Sequence, residues 1–198
     1  MLAPRKTLWS TPSEVVPILV DWIPLEPNDV VLDVGCGDAK VLLQWAMQVP
    51  TSLNSSSQQQ QEPDSTIKFL GIEIDERRAA QANKNVEKAY REGILDRDKV
   101  TIQIRCGNAL HDASDWWVEA TIVFMYLIPR GLRRIKPILE QKRQHISVRQ
   151  GRLVVVTYMS PLPDEIHVAK RSFSVSHQPG AAWPLYLYHL GISGECDE

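Results

Sequence analysis

Val30 to Val41 reads Val30-Val31-Leu32-Asp33-Val34-Gly35-Cys36-Gly37-Asp38-Ala39-Lys40-Val41, and no other stretch restricts the fold as tightly. A short apolar, β-branched run stops at two glycines, and an amphipathic pattern starts directly after them. That order reads as a buried parallel strand, a tight turn and the first turn of a helix. The glycines permit positive φ and let a ligand approach bare backbone. The helix start that follows presents unpaired N–H groups to a polar ligand. Asp33 sits inside the end of the strand, where a carboxylate repels phosphate and welcomes an ammonium or a hydroxyl. The spacing also departs from the dinucleotide fingerprint. Counted from Gly35, Gly-x-Gly-x-x-Gly requires a third glycine where Lys40 stands.

The flanking sequence supplies the rest of an α/β layout. Thr11-Pro12-Ser13-Glu14 reads as a capping box with proline at the first helical position, and Val15, Ile18, Leu19 and Trp22 then share one helical face. Glu26-Pro27-Asn28-Asp29 is a turn into the first strand. The helix after the glycines is expected to reach about Gln48, with Pro50 ending it. Residues 51–66, rich in serine and glutamine, form a low-complexity stretch that reads as a mobile insertion within one fold. Ile67 to Ile74 is the second strand. Asp75 caps a long helix with Ala79, Ala82, Val86 and Ala89 inward and Gly93 as its stop. Val100 to Arg105 alternates as a third strand. Ala120 to Leu127 is the most apolar and reads as a central strand buried on both faces. The following helix carries Pro137 and a basic cluster, Arg130, Arg133, Arg134, Lys136, Lys142 and Arg143, read as its solvated face. Arg152 to Tyr158 is the fifth strand. Ser172 to Ser176 and Leu185 to Leu190 form a final pair with Pro179-Gly180 in the connection. The expectation is one α/β domain over residues 1–198, ordered from about 8 to 190, with helices on both faces of a mostly parallel, doubly wound sheet.

Leu32-Asp33-Val34-Gly35-Cys36-Gly37-Asp38 resembles motif I of the class I S-adenosylmethionine (SAM) methyltransferases. The resemblance spans about residues 8–190 and implies SAM as cofactor. It also implies a seven-stranded sheet whose last strand pair is antiparallel. The family pattern ends in a third glycine where this chain has Ala39, whose methyl leaves less room beside the methionine moiety. By the same resemblance, Asp33, Gly35, Cys36 and Gly37 line the cofactor. Glu73, at the end of the second strand, offers two acceptor oxygens to the ribose diol; otherwise it is a solvated strand-end charge. In Cys106-Gly107-Asn108-Ala109, Asn108 bonds the adenine amino group through its side-chain oxygen and Ala109 donates its N–H to a ring nitrogen; otherwise Asn108 is a turn residue. The Thr11 segment resembles the entry of the non-SET lysine methyltransferases, which closes over the cofactor's methionine end. Otherwise it is a packing helix at the sheet edge.

The acceptor is less constrained. The Asn/Asp-Pro-Pro-aromatic motif of amino-directed nucleic-acid methyltransferases is missing after the fourth strand. Tyr126-Leu127-Ile128-Pro129 instead resembles a group related to the mitochondrial lysine methyltransferases. Tyr126 is the residue expected to orient an acceptor amine, and a protein lysine the expected substrate. A small-molecule methyltransferase and a non-catalytic SAM-fold partner are the alternatives. A net charge of −2 offers no general grip on nucleic acid. No apolar run reaches the ~18 residues of a membrane span. Cys36, Cys106 and Cys196 have no metal-ligand spacing, and His111 with Asp112 and Asp115 lacks further ligands, so no metal is expected. The cysteines read as reduced thiols of an intracellular protein, cytoplasmic or mitochondrial.

Overall fold

The computed structural model describes residues 10–49, 66–144, 153–175 and 178–190. The insertion expected at residues 51–66 and Cys196 therefore fall outside the described residues, apart from Thr66. The strands are β1 (Val30–Val34), β2 (Ile67–Glu73), β3 (Val100–Cys106), β4 (Ile122–Met125), β5 (Val154–Tyr158), β6 (Ala169–Val175) and β7 (Gln178–His189). The helices are α1 (Val15–Trp22), α2 (Lys40–Ala46), α3 (Glu76–Arg91), α4 (Ser114–Glu119) and α5 (Pro129–Gln144).

The strands form one seven-stranded sheet in the order β3-β2-β1-β4-β5-β7-β6. The pairs from β3 through β5 are parallel, and β7 runs antiparallel between β5 and β6. This is the mixed sheet that the motif implied, with its antiparallel final pair. The order reverses between β1 and β4, because the chain leaves β1 toward β2 and β3 and then returns to β1's other edge. Such a switch point opens a crevice beyond the carboxyl ends of the strands.

Strand alternation sorts the core into two layers. Val31, Ile67, Phe69, Ile122, Phe124, Val154 and Val156 face one way and pack with α1, α2 and α3. Leu32, Val34, Leu70, Ile72, Val123, Met125 and Val155 face the other way and pack with α4 and α5. β4 is buried along its whole length. That is what an all-apolar central strand between two helical layers requires. On α3 the buried residues are Ala79, Ala82, Val86 and Ala89, as the periodicity predicts, and the Asp75 side chain accepts the N–H of Arg78. Gly93, at φ +69°, follows the end of this helix.

Four expectations are corrected. The capping box does not form: α1 begins at Val15, and its cap residue Glu14 makes no side-chain capping bond. A tight turn takes its place, with the N–H of Val15 donating to Pro12 O and that of Val16 to Ser13 O. Pro179-Gly180 lies inside β7, not in a connection. A register shift between Phe173 and Val175 accompanies the longer pairing. Lys142 is buried, not solvated, and its Nζ donates to Val118 O at 2.8 Å. Periodicity places Lys142 one turn from the buried Leu139, but the α4 carbonyl that receives it comes from another element. Finally, Ala39 is fully buried within the α1–α3 layer, so its methyl packs into the core.

Candidate functional site

The crevice predicted by the strand order is a cavity of about 980 Å³. Its walls come from the segments that follow β1, β2, β3 and β4, with Ser10 and Thr11 closing one side. Asp33, Gly35, Cys36, Gly37, Glu73, Asn108, Thr11 and Tyr126 all line it. Ala109 is not among the lining residues; Leu110 and His111 occupy that part of the wall. The Ala109 carbonyl instead accepts the Trp117 indole N–H at 2.8 Å.

The turn after β1 is built by backbone conformation. Gly35, Gly37 and Ala39 all have positive φ, at +86°, +59° and +66°. A Cβ on Gly37 would meet no protein atom within 4 Å, so this glycine borders open cavity. A Cβ on Gly71, register partner of Asp33, would come within 2.8 Å of Cys36 Sγ, Leu42 Cδ1 and Ile104 Cδ1. The bare strand at Gly71 lets Cys36 and Leu42 settle onto the sheet. The N–H groups of Gly35 and Cys36 both donate to Ile72 O, at 2.8 and 3.1 Å, which fastens the turn to β2.

Glu73 completes the same unit. Its side chain is buried; Oε2 accepts the N–H of Gly37 and Oε1 that of Asp75, each at 2.9 Å. The acid is therefore fixed rather than solvated, and each oxygen keeps a further lone pair for a ligand. Asp33 differs. It is buried, and its carboxyl has no hydrogen-bond partner among the described residues. Burial, and then the nearby Glu73 carboxylate, push the Asp33 carboxyl up to about 8. A buried carboxyl without a partner is costly when ionised, so a cation in the cavity would stabilise its charge. Burial also pushes the Cys36 thiol up, with Asp33 and Glu73 adding to the effect, so this cysteine is not a thiolate nucleophile. Cys36 is buried, Cys106 exposed, and both are free thiols.

Asn108 forms a local turn, its Oδ1 accepting the N–H of Leu110 at 3.1 Å. Asp112 Oδ2 in turn accepts the N–H of Asn108 at 2.7 Å. Asp115 is held by the Arg105 guanidinium at 2.6 and 2.8 Å. These two acids therefore have structural partners. On the β4 side, Tyr126 packs against the buried Tyr158 with ring centroids 4.6 Å apart and the rings tilted by 60°, and burial pushes the Tyr126 phenol up. Phe124, Leu127, Ile128, Arg130, Gly131 and Arg134 continue this wall. Arg130 and Arg134 are lining residues that reading the basic cluster as solvated surface misses. Their i,i+4 spacing at the start of α5 was the available signal.

No family model matches the chain. A protein-lysine N-methyltransferase of Saccharolobus islandicus (strain REY15A) is 28% identical over 133 residues, which is 67% of this chain and 66% of that relative. The chain thus spans just under two thirds of that relative's length. Among solved structures, the RNA methyltransferase from Salinibacter ruber, crystallised with S-adenosylhomocysteine, is similar with a TM-score of 0.64 at 21% identity. The similarity covers 96% of this chain and 98% of that one. Precorrin-6y C5,15-methyltransferase from Geobacter metallireducens GS-15 is similar with a TM-score of 0.56 at 15% identity, covering 94% and 91%. The chain has the fold of the class I SAM-dependent methyltransferases, as its glycine motif implied.

Proposed function

We propose that this chain is a SAM-dependent methyltransferase acting on lysine side chains of another protein. The observation that carries the cofactor assignment is the single unit formed by the Gly35–Gly37 turn and the Glu73 carboxylate, on the floor of the crevice. The residues present fit SAM. Gly37 leaves space, Glu73 offers two fixed acceptor oxygens to a vicinal diol, and the partnerless Asp33 carboxyl suits the ammonium of a methionine moiety. When bound, SAM supplies an electrophilic methyl carbon on a sulfonium sulfur that leaves with the bonding pair as S-adenosylhomocysteine.

The protein's task is then chiefly alignment of the acceptor. A lysine must shed a proton before its lone pair can act. The apolar wall of Phe124, Leu127 and Ile128 disfavours its ammonium form, and so do the cationic heads of Arg130 and Arg134. Tyr126, which lines the cavity, offers its hydroxyl to the incoming nitrogen. The proton shed before attack goes to solvent, and the methylated nitrogen remains a cation, so one proton is released for each methyl transferred. The lysine acceptor is supported by the Saccharolobus relative and by the missing Asn/Asp-Pro-Pro motif after β4.

The test is transfer of tritiated methyl from labelled SAM into a cell extract, which is then split into protein, RNA and small-molecule fractions. Label in protein that hydrolyses to methylated lysine is expected. Label confined to RNA or to small molecules would contradict the acceptor assignment.

A further inference from the structure

The charges around the cavity are segregated. Asp33, Asp38, Glu73 and Asp75 line the cofactor side together with Lys40 and Arg78. The wall that follows β4 carries Arg130 and Arg134 and no carboxylate. From this we infer that the acceptor half of the cavity takes a lysine embedded in an acidic stretch of polypeptide, whose flanking carboxylates pair with Arg130 and Arg134. The inference rests on the lysine-acceptor reading given above.

The pairing pattern along α5 supports it. Lys136 lies 3.6 Å from Glu140 and 3.4 Å from Asp164, and Arg143 lies 4.0 Å from Glu165. Lys142 is committed to Val118 O. Arg130, Arg133 and Arg134 have no partner among the described residues. Among the described residues, the later α5 bases Lys136, Lys142 and Arg143, which do not line the cavity, are thus engaged, while the lining Arg130 and Arg134 are exposed and unpaired. Arg130 and Arg134, four residues apart, stand on one face of the helix. Three cations in the first turns of α5, with no acid there, oppose the helix dipole. Helix stability alone does not favour that placement, and an anion lying across them would relieve it. Each guanidinium fork matches a carboxylate in bidentate geometry.

A bare lysine would be repelled by this wall. Carboxylates on either side of the lysine convert the repulsion into attraction, and loss of the ammonium proton then rests on the apolar wall of Phe124, Leu127 and Ile128. A polypeptide fits better than RNA. The chain's net charge is −2, and the apolar residue exposed at this mouth is Ile128 rather than a stacking aromatic. Tyr126 is already packed on Tyr158. A nucleic-acid track combines a longer run of cations with aromatic platforms for bases.

The experiment measures binding and transfer separately, on protein loaded with S-adenosylhomocysteine or SAM. Fluorescent short peptides carry one lysine flanked by acidic, neutral or basic residues, and a single-stranded RNA matches the acidic peptide in charge. The acidic peptide is expected to bind about tenfold more tightly than the neutral one, and about tenfold more weakly to Arg130→Glu/Arg134→Glu. Lys84→Glu/Arg91→Glu makes the same change in net charge on α3, outside the cavity lining, and is expected to stay within about threefold of the unaltered protein. Acids in the first turn of a helix favour it, so the charge-reversed wall is expected to fold, with its melting curve as the check. Equal binding of the three peptides, no loss on reversing the wall, or tighter binding of RNA would overturn the inference. Equal methylation of all three peptides would overturn it and leave the lysine reading standing. Binding of the acidic peptide that is lost on charge reversal, without transfer to any lysine, would support the acidic partner and overturn the lysine reading instead.

Discussion

Glu73 and Gly37, 36 residues apart, are joined by a 2.9 Å hydrogen bond from the glycine N–H to the carboxylate. The acid at the end of β2 and the glycine turn after β1 therefore act as one element. The two features that sequence reading treats as separate cofactor contacts share a bond.

That bond separates the roles of two neighbouring acids. Glu73→Ala removes an acceptor from the N–H groups of Gly37 and Asp75 and from the ribose together. A loss of about 1.5–3 kcal/mol in SAM affinity is expected, with some loss of stability. Asp75→Ala removes the α3 cap and is expected to cost about 1 kcal/mol of stability, with a smaller effect on affinity. Titration with SAM and ligand-free melts of both variants test the assignment. Lost affinity in Asp75→Ala with Glu73→Ala unchanged would reverse it.

Asp33 predicts a pH dependence. Its folded-state value, about 8, lies above the usual 3.8. A raised acid favours the folded state fully below its unfolded value, and the benefit is lost as pH rises through the folded value. Ligand-free stability is therefore expected to fall between about pH 4 and pH 8, relative to Asp33→Asn. A ligand ammonium reverses the preference, because it pairs with the ionised form. SAM binding near pH 7 is then expected to release a proton and to tighten as pH rises toward 8. Calorimetry in buffers of different ionisation enthalpy reads the proton directly. Proton uptake, or none, would contradict this role.

Ala39→Gly tests where the methyl points. Relief of the left-handed backbone is worth about 1–2 kcal/mol. It is offset by about 0.4–1 kcal/mol of unfolded-chain entropy and about 0.8 kcal/mol for the buried methyl. Stability is expected to change by less than about 1 kcal/mol, and SAM affinity by less than about twofold, since Ala39 packs into the core. A large gain in affinity would show that the methyl crowds the cofactor after all.

Much of this was legible before the structure. The run from Val30 to Gly37 has one economical solution, a buried parallel strand that ends in a ligand-facing turn, and the α3 alanines repeat at helical spacing. What escaped depended on partners distant in sequence. The burial of Lys142 depends on a carbonyl at Val118, 24 residues away. The direction of the Ala39 methyl follows from a left-handed φ, which a residue name does not disclose. The start of α1 was misplaced because Thr11-Pro12-Ser13-Glu14 satisfies its turn through backbone carbonyls. The split of the α5 bases into paired and free groups depends on Asp164 and Glu165, beyond β5.

The most direct measurement is calorimetric titration of the protein with SAM, beside Gly37→Val. The unaltered chain is expected to bind one equivalent. In Gly37→Val the new side chain enters the open cavity bordered by Gly37 and strains a backbone at φ +59°, so binding is expected to vanish from a protein that still melts cooperatively. No heat from the unaltered protein, or equal affinity in the folded variant, would contradict the placement of the cofactor at the turn that Glu73 holds.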